Sequence, residues 1–127
     1  MVSNGVRALI LVGTGGALGS MMRFAVHDLM PYGVFPWSTL TVNFLGSFLL
    51  VYLLFNVVRE HHSFEALSLF LFMGLLGGFT TFSAFSFETM ELMIDGRWLL
   101  AIINVILNIS LCLFGAFAGM SLARRNK

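Results

Sequence analysis

Charge is what this sequence has least of. Only 10% of its 127 residues are Asp, Glu, Lys or Arg, whereas a soluble domain carries about 25% to keep its surface wetted. With 58% apolar residues and a mean hydropathy of +0.93, the chain cannot build such a surface, which excludes a water-soluble enzyme and places it in lipid. Cysteine is nearly absent. The one present, Cys112, sits in an apolar run, so neither an intrachain disulfide nor a multi-cysteine metal site can form. Seven Lys and Arg against six Asp and Glu leave a net charge of +1, with no basic block before Arg124, Arg125 and Lys127; no nucleic-acid partner is expected. The two prolines, Pro31 and Pro36, punctuate a single loop.

What is present is four long uncharged runs, and a helix needs about 20 mostly apolar residues to cross about 30 Å of hydrocarbon. The first run is interrupted by Arg23 and closed by His27 and Asp28. The second begins at Trp37 and ends at a polar hinge of Arg59, Glu60, His61 and His62. The third is closed by Glu88, Glu91, Asp95 and Arg97, and the last runs from Trp98 to the basic tail. The predicted spans are 6–27, 37–58, 65–94 and 98–123 within one transmembrane domain, 1–127, with Trp37 and Trp98 suited to the interface. The N-terminal run, with Arg7 before it and Ala17-Leu18-Gly19 inside it, has the outline of a cleaved leader. Three further hydrophobic runs, with no soluble domain behind them, favour a first transmembrane helix instead. With four spans, Arg7, Arg59, Arg124, Arg125 and Lys127 fall on one side and Arg97 and Arg23 on the other. That imbalance leans toward both termini in the cytoplasm.

Gly13, Gly15, Gly16 and Gly19 look superficially like a phosphate-binding loop, but Leu18 stands where the dinucleotide fingerprint needs its third glycine. The pairs Gly15 and Gly19, Gly74 and Gly78, and Gly115 and Gly119 instead offer small faces that let helices approach closely in lipid. Polar residues inside the spans are more informative, because each costs free energy in hydrocarbon unless it finds a partner or lines a wet cavity. Asn43 lies in the second span; Asn104, Asn108 and Cys112 share one face of the fourth, with Ser110 off that face. Such residues commonly make interhelical hydrogen bonds. Three asparagines with no carboxylate or lysine between them also suit a neutral, donor-lined path for an anion better than a proton relay.

The third span carries the sequence Gly77-Gly78-Phe79-Thr80-Thr81-Phe82-Ser83-Ala84-Phe85-Ser86-Phe87-Glu88. Two glycines followed by two β-branched threonines make a poor helix, so a break is expected over residues 77–81. Broken backbone at membrane depth is tolerated where it is buried or lines a cavity, and its carbonyls commonly coordinate a small cation, so a structural sodium ion is expected here. Phe82 and Phe85 lie roughly on one face. Aromatic stripes at this spacing are usually packing, yet the positive edge of a phenyl ring beside hydroxyl and amide donors can replace water around a small anion without trapping it.

These residues resemble the Fluc (CrcB) fluoride channels of microorganisms. Gly15-Gly16-x-x-Gly19-x-x-x-Arg23 is similar to the first-helix motif of that family, Thr39-Leu40-x-Val42-Asn43-x-x-Gly46 to the second, and Gly77-Gly78-x-Thr80-Thr81-Phe82-Ser83-x-Phe85-Ser86-x-Glu88 to the third. The third is the most specific, and the likeness spans the whole chain. The resemblance implies an all-α membrane protein with a broken third helix, assembled as an antiparallel, dual-topology homodimer in the plasma membrane. It implies two pores, each drawing on both subunits, that export fluoride passively and lower its cytoplasmic level. By the same resemblance, backbone carbonyls of Gly77 and Thr80 hold a central Na⁺. Phe82 and Phe85 match the pore phenylalanines and Asn43 the pore asparagine. Ser83 and Glu88 match hydrophilic positions along the path, and Arg23 matches the vestibule arginine. Asn108, with Asn104 and Cys112, is placed on the path by its distance from the third motif. The implied partners are fluoride, a second copy of the chain and membrane lipid.

The rival reading is a small multidrug-resistance-type proton-coupled transporter, also a dimer of four-helix chains. Such a transporter needs a carboxylate embedded in its first helix, and the first acid here is Asp28, near the interface. A non-transporting membrane subunit would account for the glycine faces but not for Thr, Ser and Phe clustered at a helix break. No nucleophile, base and orienter can be assembled from the intramembrane residues, so no enzyme is expected.

Overall fold

The computed structural model describes residues 2–58 and 65–125. The hinge residues Arg59, Glu60, His61 and His62, and Lys127 of the tail, lie outside them. Lipid offers the backbone no hydrogen-bond partners, so a crossing segment must satisfy its own amides. The described residues accordingly form helices and short connections, with no strand among them. Helix α1 is Val2–Leu29, and α2, Trp37–Leu53, continues in π-helical geometry through Leu54–Val58. The third crossing is composite: α3 (Glu65–Ser68), a π-helical stretch (Leu69–Leu76), α4 (Gly77–Phe79) and, after a break, α5 (Phe82–Ile94). Helix α6, Trp98–Arg125, is the last. Four segments are long and apolar enough to cross a membrane: Gly5–Leu29, Trp37–Asn56, Glu65–Ile94 and Trp98–Arg125. The chain is a multi-pass membrane protein.

The reversal between α5 and α6 takes three residues. Gly96 has φ of +74°, the left-handed region open to glycine. Its N–H donates to the Met93 carbonyl at 3.0 Å, and that of Arg97 to Leu92 at 2.8 Å, closing α5 with a Schellman motif.

Close packing comes from the glycine faces. A Cβ on Gly19 would overlap the Leu75 carbonyl oxygen; one on Gly74 would lie 2.9 Å from Gly15 Cα, and one on Gly78 2.5 Å from the Gly16 carbonyl. These contacts join α1 to the first half of the third crossing. On the other side, a Cβ on Gly115 would meet the Phe44 ring at 3.1 Å and one on Gly119 the Phe48 carbonyl at 2.5 Å, so α6 lies backbone to backbone on α2. All three glycine pairs thus serve contacts within the chain. Gly19→Ala should lower the melting temperature in detergent, the overpacking costing about 1–3 kcal/mol. Gly13→Ala, whose Cβ would meet nothing within 4 Å, should not lower it, since alanine is the better helix former.

The break is narrower than the glycines predict. Gly77 and Gly78 are helical, and only Thr80 (φ −85°, ψ 158°) and Thr81 (φ −153°, ψ 113°) are extended. The glycines are there because α1 is pressed against them. Where α2 passes the break, Gly46 has no side chain and leaves room for the Thr80 methyl. The interior is mixed: Leu40, Val42, Leu76, Phe79 and Phe85 are buried with Thr39, Thr81, Thr89, Asn104 and Asn108, while Leu9, Ile10, Phe24, Ile106 and Leu113 face outward. That is the arrangement of a bundle in lipid, where polar groups gather inside.

Candidate functional site

Two consecutive extended residues leave backbone groups without helical partners at the centre of the third crossing. Thr80 keeps its helical bond, its N–H donating to the Leu76 carbonyl at 3.1 Å. Thr81 does not. Its N–H donates to Asn43 Oδ1 at 2.8 Å, and its carbonyl accepts from Asn43 Nδ2 at 3.1 Å. One carboxamide on α2 therefore does for Thr81 what a neighbouring strand would do. Because a backbone N–H only donates and a carbonyl only accepts, this two-point clamp fixes which way the Asn43 amide faces. Thr81 also starts the next helix: its hydroxyl accepts from the Ala84 N–H at 3.1 Å, an N-cap, and lies 3.1 Å from the Ser83 hydroxyl.

These bonds determine which carbonyls lose their helical donors. Gly77 O would accept from the N–H of Thr81, now on Asn43, and Thr80 O from that of Ala84, now on the Thr81 hydroxyl. Both are thereby released for another ligand. Among the described residues, no group of three or more His, Cys, Asp or Glu side chains is placed to hold a metal.

Two cavities meet at Thr81. One, of about 400 Å³, is lined by Asn43, Thr80, Thr81, Phe82, Phe85, Asn108 and Cys112. The other, of about 340 Å³, is lined by Arg23, His27, Ser38, Thr39, Thr81 and Glu88. A third, of about 260 Å³, shares His27, Ser38 and Glu88 with the second and reaches Asp95 and Arg97 at the turn after α5. The Asn43–Thr81 clamp sits where the first two adjoin. Of the residues singled out from sequence, Asn43, Phe82, Phe85, Thr80 and Asn108 are brought together around the first cavity, and Arg23 with Glu88 around the second. Ser83 joins the cluster through the Thr81 hydroxyl. Gly77 lines none of these spaces and stands at the start of α4.

The ring centroids of Phe82 and Phe85 are 5.3 Å apart and the planes tilted by 54°. Their settings differ: Phe85 is 8% exposed, Phe82 78%. The asparagines are more engaged than a simple row of donors. The second Asn43 N–H donates to Asn108 Oδ1 at 3.2 Å, and Asn108 Nδ2 donates to the carbonyl and Oδ1 of Asn104 at 3.1 and 2.9 Å. In the second cavity, Thr39 donates to Glu88 Oε1 at 2.6 Å, while Oε2 is buried with no hydrogen-bond partner among the described residues. The Thr39–Glu88 pair joins α2 to α5. Sequence spacing gave no sign of it, since the partners are 49 residues apart.

A multi-pass bundle whose polar groups and phenyl rings converge on a broken helix has the features of a small membrane conduit. Residues 10–120 match the model of the CrcB-like protein family, described as Camphor Resistance (CrcB), and the chain belongs to that family. Among curated relatives it is similar to the fluoride-specific ion channel FluC of Shewanella oneidensis, 45% identical over 119 residues that cover 90% of this chain and 94% of that one. It is also similar to the protein of the same name from Magnetococcus marinus, 39% identical over 116 residues, covering 89% and 94%.

Proposed function

We propose that this chain is a fluoride-selective channel of the bacterial plasma membrane, passing the ion down its gradient and so lowering cytoplasmic fluoride. The observation that carries this reading is the cavity of about 400 Å³ at the helix break, which Phe82 and Phe85 line together with the Asn43 and Asn108 carboxamides. The relatives named fluoride-specific channels support the choice of ion. Fluoride is small and strongly hydrated, so a selective path must replace its water at short range without a full charge to hold it. Ring edges do so weakly. Amide N–H groups do so more strongly, and the Asn43 to Asn108 bond, at 3.2 Å the longest of the three that the Asn43 carboxamide makes, is the one most easily exchanged for an N–H to an anion. The Ser83 hydroxyl hydrogen turns to the ion when the Thr81 hydroxyl donates to Ser83. Arg23 draws the anion into the second cavity. The multidrug-transporter alternative is not favoured, since α1 carries no carboxylate before Asp28.

Two copies form the conduit in this reading. A ring 78% exposed beside a cavity leaves that cavity short of a wall, and an antiparallel second copy brings its own Phe82 to supply one. Lipid covers the outward apolar faces. The Gly77 and Thr80 carbonyls, stripped of helical donors, suit a hard monovalent cation such as Na⁺ held between the copies. When bound, that ion supplies positive potential at mid-membrane; the remaining groups on the path are this chain's own. The test is efflux from proteoliposomes, in which fluoride should leave and chloride should stay. Replacing all sodium with a large organic cation should lower flux and dimer stability; unchanged values for both would refute the metal assignment.

A further inference from the structure

The hydrogen bonds around the break form one directed chain. It starts at the Thr81 N–H, which donates to Asn43 Oδ1 at 2.8 Å. Asn43 donates to Asn108 Oδ1 at 3.2 Å, Asn108 to Asn104 Oδ1 at 2.9 Å, and Asn104 to Thr89 Oγ1 at 2.9 Å. The chain ends where the Thr89 hydroxyl donates to the Phe85 carbonyl at 2.7 Å. Each carboxamide accepts on its oxygen and donates onward from its nitrogen, so the dipoles align and strengthen one another. Both ends sit on one short backbone segment, from Thr81 to Phe85, which also carries Phe82 and Ser83. The far members, Asn104 and Thr89, are 0% and 7% exposed, and neither lines the cavity at the break.

We infer that Asn104 and Thr89 are positioning residues of the pore: together with the Asn104 main-chain carbonyl they hold the Asn108 nitrogen on the far side, so that Asn108 presents its oxygen toward Asn43 and the cavity. The inference rests on the reading of that cavity as the fluoride path. The chemical reason is the near-symmetry of a carboxamide, whose oxygen and nitrogen ends differ little in shape, so a neighbour must specify its orientation. Asn43 is specified by the Thr81 backbone. Asn108 has one fixed acceptor, the Asn104 main-chain carbonyl, to which its nitrogen donates at 3.1 Å. The second hold on that nitrogen is Asn104 Oδ1 at 2.9 Å, and Asn104 is held the right way round by a threonine hydroxyl whose own hydrogen is committed to Phe85. Without the Asn104 side chain the main-chain carbonyl alone holds the Asn108 nitrogen, and an Asn108 N–H left without its partner turns toward Asn43 or the cavity, changing the donors an anion meets.

The experiment compares Asn104→Leu, Thr89→Val and Thr89→Ser with the wild-type chain, all purified as dimers and reconstituted into liposomes for fluoride and chloride efflux. Loss of buried hydrogen bonds of this kind should lower fluoride flux at least about tenfold in Asn104→Leu and about threefold in Thr89→Val. The fluoride-to-chloride ratio should fall in both. Thr89→Ser, which restores the hydroxyl, should recover most of the flux lost in Thr89→Val. Combining Asn104→Leu with Asn43→Ser should cost little more than Asn43→Ser alone, because both cut one chain. A purely structural role would lower melting temperature, leave the selectivity ratio at its wild-type value and give additive losses. That result overturns the inference, as does wild-type flux in both Asn104→Leu and Thr89→Val. Should Asn104→Leu not assemble, the Thr89→Val and Thr89→Ser pair decides by the same criteria. A wild-type chain that passes no fluoride would instead bring down the channel reading itself.

Discussion

Asn43→Asp is expected to cut fluoride flux about a hundredfold, the effect of losing about 2–3 kcal/mol at the rate-limiting point of the path. The substitution changes almost no volume, so its effect isolates hydrogen-bond chemistry. In the native clamp Asn43 accepts one bond from the Thr81 backbone and gives two, to the Thr81 carbonyl and to Asn108 Oδ1. A carboxylate keeps only the first. Its second oxygen would face two acceptor oxygens across distances of 3.1 and 3.2 Å, and its charge would repel the anion that has to pass. The break itself would loosen, because nothing else on α2 is bonded to the Thr81 carbonyl. The measurement is initial fluoride efflux from proteoliposomes, with cross-linking in the same membranes to count dimers. An Asn43→Asp dimer with wild-type flux would remove this residue from the path.

Asn43 also marks the limit of what the sequence discloses. Its location in an uncharged run makes it conspicuous, and so does the cost of an amide in hydrocarbon. Its partners are invisible, because they are a backbone residue 38 positions away and a side chain 65 positions away. The same holds for the break. Glycine and threonine propensities place it correctly in the third crossing but spread it over residues 77–81, since propensity scores a residue for its own helix only. At Gly78 the neighbouring helix decides: α1 approaches so closely that a side chain would strike the Gly16 carbonyl. The four crossings were legible because charge is excluded from lipid whatever the packing. Which glycine face meets which helix was not, since a small face carries no mark of its partner. Thr89 carries no sequence signal at all; a threonine one turn beyond Phe85 is ordinary until its hydroxyl is seen to end a hydrogen-bond chain.

Phe82→Ile and Phe85→Ile separate the pore role of these rings from packing, because the two residues stand in such different surroundings. Isoleucine retains apolar bulk but has no positive ring edge to offer an anion. Each replacement should lower fluoride flux at least about tenfold, a barrier change near 1.4 kcal/mol. For Phe85, 8% exposed and buried against the bundle, a lower melting temperature should accompany the loss, since a branched side chain cannot fill a planar slot. For Phe82, 78% exposed on the single chain, there is no slot within the chain to disturb. Its stability should stay near wild type while its flux falls as far as that of Phe85→Ile. Equal losses of flux with unequal losses of stability would mean that both rings act on the ion, whatever each does for the fold. Two dimers that keep both fluoride flux and the preference for fluoride over chloride would make the rings packing residues and leave the asparagine amides and hydroxyls to carry the selectivity alone.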